Sequence, residues 1–235
     1  MTFSLEQIGD CALLIQFGEC FDAATNARAL ATAARIRAAR LPGISDIAPA
    51  YASVCVRYEP LLWNDAAAAS AYAGIARALS ALVADVAAPA SAASADGNVV
   101  DVPVCYERAF APDLHDVAAA SGLDAATVVA RHCSTTYRVA MLGFAPGFPY
   151  LFGLDPALHT PRRASPRTRV PAGSVAIGGA QTGIYPRELP GGWNLIGRTP
   201  LRLFAAERDP PALFAPGQHV RFRAIDAREF ATLSR

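Results

Sequence analysis

Lysine is absent from this chain of 235 residues, so its 21 residues of fixed positive charge are all arginine. A lysine Schiff base is therefore excluded, and so is the phosphate-binding loop G-x-x-x-x-G-K-[ST], which places its lysine on the phosphates. The H-E-x-x-H helix of metalloproteases and the G-x-S-x-G turn of serine hydrolases are missing as well. Any nucleotide that binds this chain does so without a Walker motif.

Histidine and cysteine are scarce, at four and five residues. The cysteines show no C-x-x-C spacing and no histidines at zinc-finger spacing, so we expect reduced thiols and no metal site. Cys133 follows His132, but adjacent residues of a helix point in different directions, which disfavours a nucleophilic pair. No pair of carboxylates is placed for acid–base chemistry. The chain offers binding groups without a general base, which indicates an active site shared with another protein.

Long apolar runs are also missing. The first 19 residues carry Glu6 and Asp10 and lack a basic region followed by an apolar core, so they do not resemble a secretory signal. The alanine-rich residues 66–90 are interrupted by Arg77 and Asp85 and are too weakly apolar to span a membrane. With a net charge of +1, we expect a cytoplasmic protein that binds neither membrane nor nucleic acid.

The hydrophobic pattern predicts an α+β chain with two domains. Residues 1–85 read as two strands (3–8, 12–17), a helix (22–39) capped by Asp22, two strands (44–50, 53–58) and a helix (65–83), which is the order of an α/β sandwich. The small residues 86–98 lack periodicity and are predicted to form a linker. Residues 99–235 are predicted to form a β-barrel domain.

The predicted barrel domain contains two short helices at residues 112–120 and 124–132, with Asp113 and Asp124 near their starts and Gly122 between them. Short strands separated by turns make up the rest of it. The predicted strands cover residues 99–106, 137–144, 174–180, 193–199, 200–204 and 219–225.

The segment from Met141 to Pro200 concentrates the residues that shape a site. It holds nine of the 18 prolines and ten of the 17 glycines, a density that excludes long helices and requires well-defined turns. Seven arginines and a single acidic residue, Glu188, lie between residues 156 and 204. Glycines let backbone N–H groups approach a ligand, and guanidinium groups hold carboxylate or phosphate oxygens. The segment therefore predicts a binding site for a small anionic molecule.

Several residues of this segment are candidate ligand contacts. Phe144 and Phe148 present aromatic faces, or else close one end of the barrel as a hydrophobic plug. Arg163 and Arg167 share one face of an extended segment, although some of these arginines are expected to be ordinary surface charges. A tight turn would display Gly179, Gln181 and Thr182, unless it is only a β-hairpin turn. The remaining candidates are Asn194 and Arg198, which follow the expected core residue Trp193.

The motifs GFAPGFPYL, PRR, VPAGSV, QTGIYP and PGGWNLIGRTP, in this order, resemble a known family. It is the family of the B subunit of bacterial ATP-dependent 5-oxoprolinase, whose members also include the sporulation kinase inhibitor KipI and a carboxyltransferase subdomain of urea carboxylase, and are often labelled allophanate hydrolase subunit 1. The resemblance covers nearly the whole chain. Phe152 departs from it, because the family pattern has glycine there. The resemblance implies that the second domain is a cyclophilin-like barrel.

The resemblance also implies a function. Such a protein would act with the A and C subunits of the enzyme to convert 5-oxoproline, ATP and water to glutamate, ADP and phosphate. ATP would be a co-substrate, Mg²⁺ would be held partly by the C subunit, no biotin would be carried, and the isolated chain would be inactive. Inhibition of a sensor histidine kinase and a role related to urea carboxylase or allophanate hydrolase remain alternatives.

Overall fold

A computed structural model describes residues 3–19, 22–64, 69–86 and 99–234. The chain divides into two compact units, Met1–Ser94 and Ala95–Arg235. Of the predicted linker, only Val86 lies within the described residues. The domain boundaries derived from the sequence therefore stay a prediction.

The first unit contains one antiparallel sheet with the strand order β1-β2-β4-β3 and two helices. Alternation places Leu13, Ile15, Val54 and Val56 on one buried face of the central strands. That face packs against both helices in a single core. The elements are β1 (Ser4–Ile8), β2 (Ala12–Gln16), α1 (Ala23–Ala39), β3 (Ile44–Pro49), β4 (Ser53–Tyr58) and α2 (Ala71–Val83).

Side-chain caps set where these helices begin. Asp22 accepts the N–H of Thr25 at 2.8 Å, as the sequence predicts for α1. The second helix was expected from residue 65, but α2 begins at Ala71 because Ser70 caps it by accepting the N–H of Ala73 at 3.2 Å. Residues 65–68 lie outside the described part of the chain.

The second unit is a closed barrel of seven strands in the order β10-β7-β6-β13-β5-β12-β9. Only β5 and β13 of the barrel pair in parallel. The strands are β5 (Val100–Cys105), β6 (Thr136–Leu142), β7 (Pro149–Phe152), β8 (Arg167–Val170), β9 (Ser174–Gly178), β10 (Gln181–Ile184), β11 (Leu189–Gly191), β12 (Asn194–Arg198) and β13 (His219–Ile225). Strands β8 and β11 form a separate two-stranded sheet. The predicted mixed α and β chain with a barrel is confirmed.

Helices α3 (Leu114–Ser121), α4 (Ala125–Ser134) and α5 (Ala227–Leu233) complete the second unit. Two local predictions for this unit are wrong. Residues 200–204 form no strand: Pro200 has no N–H to donate, and Phe204 makes only an isolated bridge to Ala212. The sequence prediction also missed α5, which Asp226 caps by accepting the N–H of Glu229 at 2.7 Å. Among the described residues, the helices are too short or too polar to cross a membrane.

Candidate functional site

The barrel unit carries an aromatic cavity of about 360 Å³. Its wall comes from four stretches of chain: the loop before β7 with the start of that strand, the segment before β8, the residue after β10, and the end of β11 with the turn to β12. Five aromatic residues dominate the lining, and two arginines, two prolines and two glycines complete it. The lining residues are Phe144, Phe148, Tyr150, Arg162, Arg163, Pro166, Tyr185, Pro190, Gly191, Gly192 and Trp193.

Edge-to-face packing holds these rings in place. The ring of Phe148 lies 5.2 Å from that of Tyr185 and 5.7 Å from that of Trp193, at nearly right angles to both. Such contacts stabilise a fixed arrangement beyond the area that the rings bury. A Cβ atom at Gly178 would come within 2.6 Å of the Trp193 ring, so only glycine permits this packing. The cavity wall is therefore a rigid cluster that exists before any ligand arrives.

Phe144 stands at this wall in an unusual conformation. Its φ is +66°, the left-handed region that bulky side chains avoid, and 60% of its surface is exposed. Phe148, four residues later, is 2% exposed and belongs to the core. Of the two alternatives for this loop, Phe148 fits the hydrophobic plug that closes the barrel core. Phe144 fits the other alternative, an aromatic face presented outward. Strain combined with exposure of an apolar ring is typical of a contact site.

The predicted arginines Arg163 and Arg167 converge on one buried carboxylate, Asp113. Arg167 donates two hydrogen bonds to it at 2.7 and 2.8 Å, and Arg163 donates one at 3.0 Å. The Leu195 N–H donates a fourth at 2.7 Å. Asp113 is the N-cap residue of α3, near the helix start as expected, but its side chain makes no cap hydrogen bond and faces these donors instead. The hydrogen bonds and charge of Asp113 raise the pKa of Arg167, and both Nη atoms of Arg167 are engaged by this carboxylate.

Arg162 differs from its neighbour. Its guanidinium carbon lies 5.8 Å from the centre of the Trp193 ring, and no ion pair to a carboxylate of the described residues occupies it. Burial raises the pKa of both Tyr150 and Tyr185, and the positive charge of Arg162 opposes that rise at each hydroxyl. Arg162 is therefore an available cation whose field reaches the phenol groups of the cavity.

Gly179, Gln181 and Thr182 lie on the hairpin between β9 and β10. Gly179, with φ +67°, provides the tight turn, and Gln181 pairs with Gly178 across it. None of the three lines the aromatic cavity. This stretch has the geometry of a hairpin turn, and its assignment to a substrate site stays a prediction from sequence.

The side chain of Thr182 belongs to a buried polar network. Its hydroxyl donates to the Ala176 carbonyl at 3.1 Å and lies 3.1 Å from Nε2 of His132. Because that hydroxyl has one proton, Nε2 must carry the imidazole proton, and Nδ1 accepts from the Tyr106 hydroxyl at 2.8 Å. Burial lowers the pKa of His132 to about 3. His132 is a neutral structural residue that joins α4 to the barrel.

Asn194 and Arg198 also bind main-chain carbonyls. Nδ2 of Asn194 donates to the Pro161 carbonyl at 2.8 Å, which fixes the backbone beside Arg162. Nε of Arg198 donates to the Ala172 carbonyl at 2.8 Å. Neither residue lines the cavity, so Asn194 supports its wall from behind and Arg198 lies apart from it.

Of the residues selected from sequence, the structure brings Phe144, Phe148 and Arg163 together at the cavity. Sequence reasoning undervalued Arg162, Tyr185 and Trp193. The signal was present, since each lies in one of the motif blocks, but a pattern does not show which side of a loop faces a cavity. Within the part of the chain that the structure describes, no cluster of His, Cys, Asp and Glu side chains is arranged to hold a metal ion.

Comparison with protein families agrees with this architecture. A family model described as the carboxyltransferase domain, subdomain C and D, matches residues 3–214. The chain is 38% identical over 233 residues to a Bacillus subtilis protein named as the B subunit of 5-oxoprolinase, and the match covers 98% of this chain and 96% of that relative. An Escherichia coli O157:H7 protein of the same name is 56% identical over 127 residues, which is 54% of this chain and 58% of the relative.

A solved structure shares the fold. The crystal structure of TTHA0988 superposes with a TM-score of 0.77 at 37% sequence identity. The match covers 92% of this chain and 40% of that one, so the present chain spans about two fifths of the TTHA0988 chain.

Proposed function

The chain belongs to the family of the carboxyltransferase domain, subdomain C and D, and we propose that it serves as the B subunit of an ATP-dependent 5-oxoprolinase. The reaction would convert 5-oxo-L-proline, ATP and water to L-glutamate, ADP and phosphate. The name of the Bacillus subtilis relative, which matches almost end to end, supports this proposal. That name also supports the presence of partners in a complex, which we take to be homologues of the A and C subunits.

The aromatic cavity is the observation that carries the proposal. Its volume of about 360 Å³ lies in the range of small-molecule sites, which combine apolar walls with a few fixed polar groups. A lactam ring is small and nearly flat, and its CH₂ groups and amide faces suit aromatic walls. The positive charge of Arg162 suits the carboxylate that 5-oxoproline also carries.

The reaction needs groups beyond those found here. Opening a lactam is unfavourable near neutral pH. Transfer of the terminal phosphoryl group of ATP to the amide oxygen would make the ring carbon more electrophilic, so that one water adds to that carbon, the ring C–N bond breaks with the nitrogen as the leaving amine, and a second water releases phosphate and glutamate. Arginines and backbone N–H groups stabilise a phosphoryl group in transit. His132 is buried and neutral, so it provides no general base. We therefore assign the base, and part of the Mg²⁺ coordination, to the C subunit.

Reconstitution tests the proposal. The chain is co-expressed with homologues of the A and C subunits, purified, and supplied with 5-oxo-L-proline, ATP and Mg²⁺, and glutamate is measured by chromatography. We expect glutamate to form with all three proteins and none with this chain alone. Glutamate formation that is undiminished when this chain is left out would refute the assignment.

Kinase inhibition is the competing function. Docking on a protein helix requires a contiguous apolar patch. Among the described residues of the barrel unit, the large apolar side chains that are strongly exposed are Phe144 and Leu233, but an open apolar groove that includes Leu114, Val129 and Cys133 lies on the same unit. The enzyme proposal is therefore preferred on the aromatic cavity and on the named relative, not on a lack of apolar surface.

A further inference from the structure

The two arginines that line the cavity, Arg162 and Arg163, differ in whether they form an ion pair with a carboxylate of the described residues. Arg163 and Arg167 both bind Asp113, whose side chain is 3% exposed. Two guanidinium groups and one carboxylate give this cluster a net charge of +1. The guanidinium N–H groups that bind Asp113 point toward that buried carboxylate. The cluster therefore acts as a fixed support for the segment that precedes β8.

Arg162 is positioned by that support. On its C-terminal side, Arg163 is held by Asp113 through its side chain and by the Gly192 carbonyl through its N–H, at 2.7 Å. On its N-terminal side, the Pro161 carbonyl accepts from Asn194 at 2.8 Å. The backbone on both sides of Arg162 is thus fixed to the strand that carries Asn194 and to the turn before it. This arrangement fixes the backbone from which the exposed Arg162 side chain reaches the cavity.

Arg163 has one donor left over. Its Nε is buried without a hydrogen-bond partner among the described residues. A buried donor with no acceptor is costly, but this atom is closed to a ligand, so Arg162 is the arginine of this wall that can meet one. Arg163 lines the same cavity as Arg162.

We propose that Arg162 is the residue of the aromatic cavity that binds the carboxylate of 5-oxo-L-proline. The carboxylate binds the N–H edge of the Arg162 guanidinium, one face of which lies toward the Trp193 ring at 5.8 Å, and the ring of the ligand packs against Phe148 and Tyr185. Arginine suits this place because its planar fork can stack on an aromatic ring and still bind two carboxylate oxygens. The inference rests on the proposed function and adds where, and by which group, the B subunit recognises the substrate.

Two substitutions of Arg162 test whether its guanidinium binds the carboxylate. Arg162→Gln removes the charge, and Arg162→Lys keeps the charge but loses the planar fork. Arg169→Gln is the matched control, because its side chain is 81% exposed and pairs only loosely with Glu188, at 3.5 Å. Both positions are on the surface, so circular dichroism spectra of all variants should match that of the parent.

The experiment measures steady-state kinetics of the reconstituted complex and direct calorimetric titration of the complex with 5-oxo-L-proline and with its carboxamide. We expect Arg162→Gln to raise the KM for 5-oxo-L-proline about tenfold or more with kcat changed less than about threefold, and Arg162→Lys to restore part of the loss. The parent should bind the acid more tightly than the amide, and Arg162→Gln should abolish that preference. The control should behave like the parent.

Four results distinguish the inference about Arg162 from the proposed function. An unchanged KM in Arg162→Gln, while glutamate still forms, overturns the inference and leaves the proposed function in place. An equal rise in the control overturns it too, since general surface charge would then be responsible. Failure of the parent complex to bind 5-oxo-L-proline in the titration also overturns it. Arg162-dependent binding of the acid in a complex that forms no glutamate supports the inference and refutes the proposed function.

Discussion

Arg167 binds both carboxylate oxygens of Asp113, with Nη1 2.8 Å from Oδ2 and Nη2 2.7 Å from Oδ1. This fork-to-fork pair joins the residue before α3 to the first residue of β8, across 54 positions of sequence. Such bidentate pairs fix geometry more strictly than a single ion pair does. The pair therefore determines where the arginine-bearing wall of the cavity lies.

Removal of the Asp113 charge should destabilise the barrel unit. Asp113→Asn leaves two guanidinium groups without a counter-ion beside a buried amide, and breaking a buried pair from one side costs about 3 kcal/mol or more. Urea unfolding followed by circular dichroism measures the free energy of unfolding. Asp101→Asn is the control, because the ion pair of Asp101 with Arg221 is about half exposed, and its loss should cost less than about 1 kcal/mol. Equal effects of the two substitutions would contradict this account.

Arg167→Ala should act on stability first. The sequence alone suggested that Arg167 is a ligand contact, but its substitution leaves the buried Asp113 carboxylate with only two of its donors, from Arg163 and Leu195. We expect the free energy of unfolding to fall by about 2 kcal/mol. Thermal denaturation of the purified chain measures it. A variant as stable as the parent, with a loss confined to turnover, would restore the ligand-contact interpretation.

Acid should weaken the fold through His132. Its pKa is about 3 in the folded chain and about 6.5 when unfolded, so between these values the unfolded state binds a proton that the folded state does not. The stability that neutral His132 contributes is complete above pH 6.5 and is lost as the pH falls toward 3. Two pH units below 6.5, the loss is about 3 kcal/mol.

The test compares the parent with His132→Gln, which cannot titrate. The free energy of unfolding is measured by urea denaturation at about pH 7.5 and about pH 4.5. We expect the parent to lose about 3 kcal/mol more than the variant between the two values. Identical losses in both proteins would mean that His132 does not control this pH dependence.

Two substitutions of Phe144 should differ in stability but share a loss of turnover. At φ +66° a Cβ atom is strained, so Phe144→Gly should be more stable than Phe144→Ala by about 1 kcal/mol. Both variants lose the exposed ring and should lose turnover in the reconstituted complex. Differential scanning calorimetry and the glutamate assay provide the two readouts. Full turnover in both variants would show that the exposed ring has no part in function.

Local features of the fold were predictable because their causes lie within a few residues. Asp124 accepts the N–H of Thr127 at 2.6 Å and begins α4, and Gly122 ends α3 with a φ of +65°. Each of these interactions is set by a residue type and its nearest neighbours. The alternation of Leu13 and Ile15 likewise determined which face of the first sheet is buried.

The partners of Asp113 were not predictable in this way. Capping rules examine the next three residues, whereas Asp113 binds arginines 50 and 54 positions later that closure of the barrel brings beside it. A β-barrel closes through pairings between distant strands, and one sequence does not reveal those pairings. The shared face of Arg163 and Arg167 was inferred correctly, but that face meets Asp113, and the neighbouring Arg162 is the arginine that lies over Trp193.

The most direct test of the central claim is a crystal structure of the reconstituted complex with 5-oxo-L-proline and a non-hydrolysable ATP analogue. We predict density for the lactam ring between Trp193, Phe148 and Tyr185, with its carboxylate within hydrogen-bonding distance of the Arg162 guanidinium. Density for 5-oxo-L-proline at the Gly179–Gln181 hairpin, or wholly within a partner protein with this cavity empty, would contradict the account.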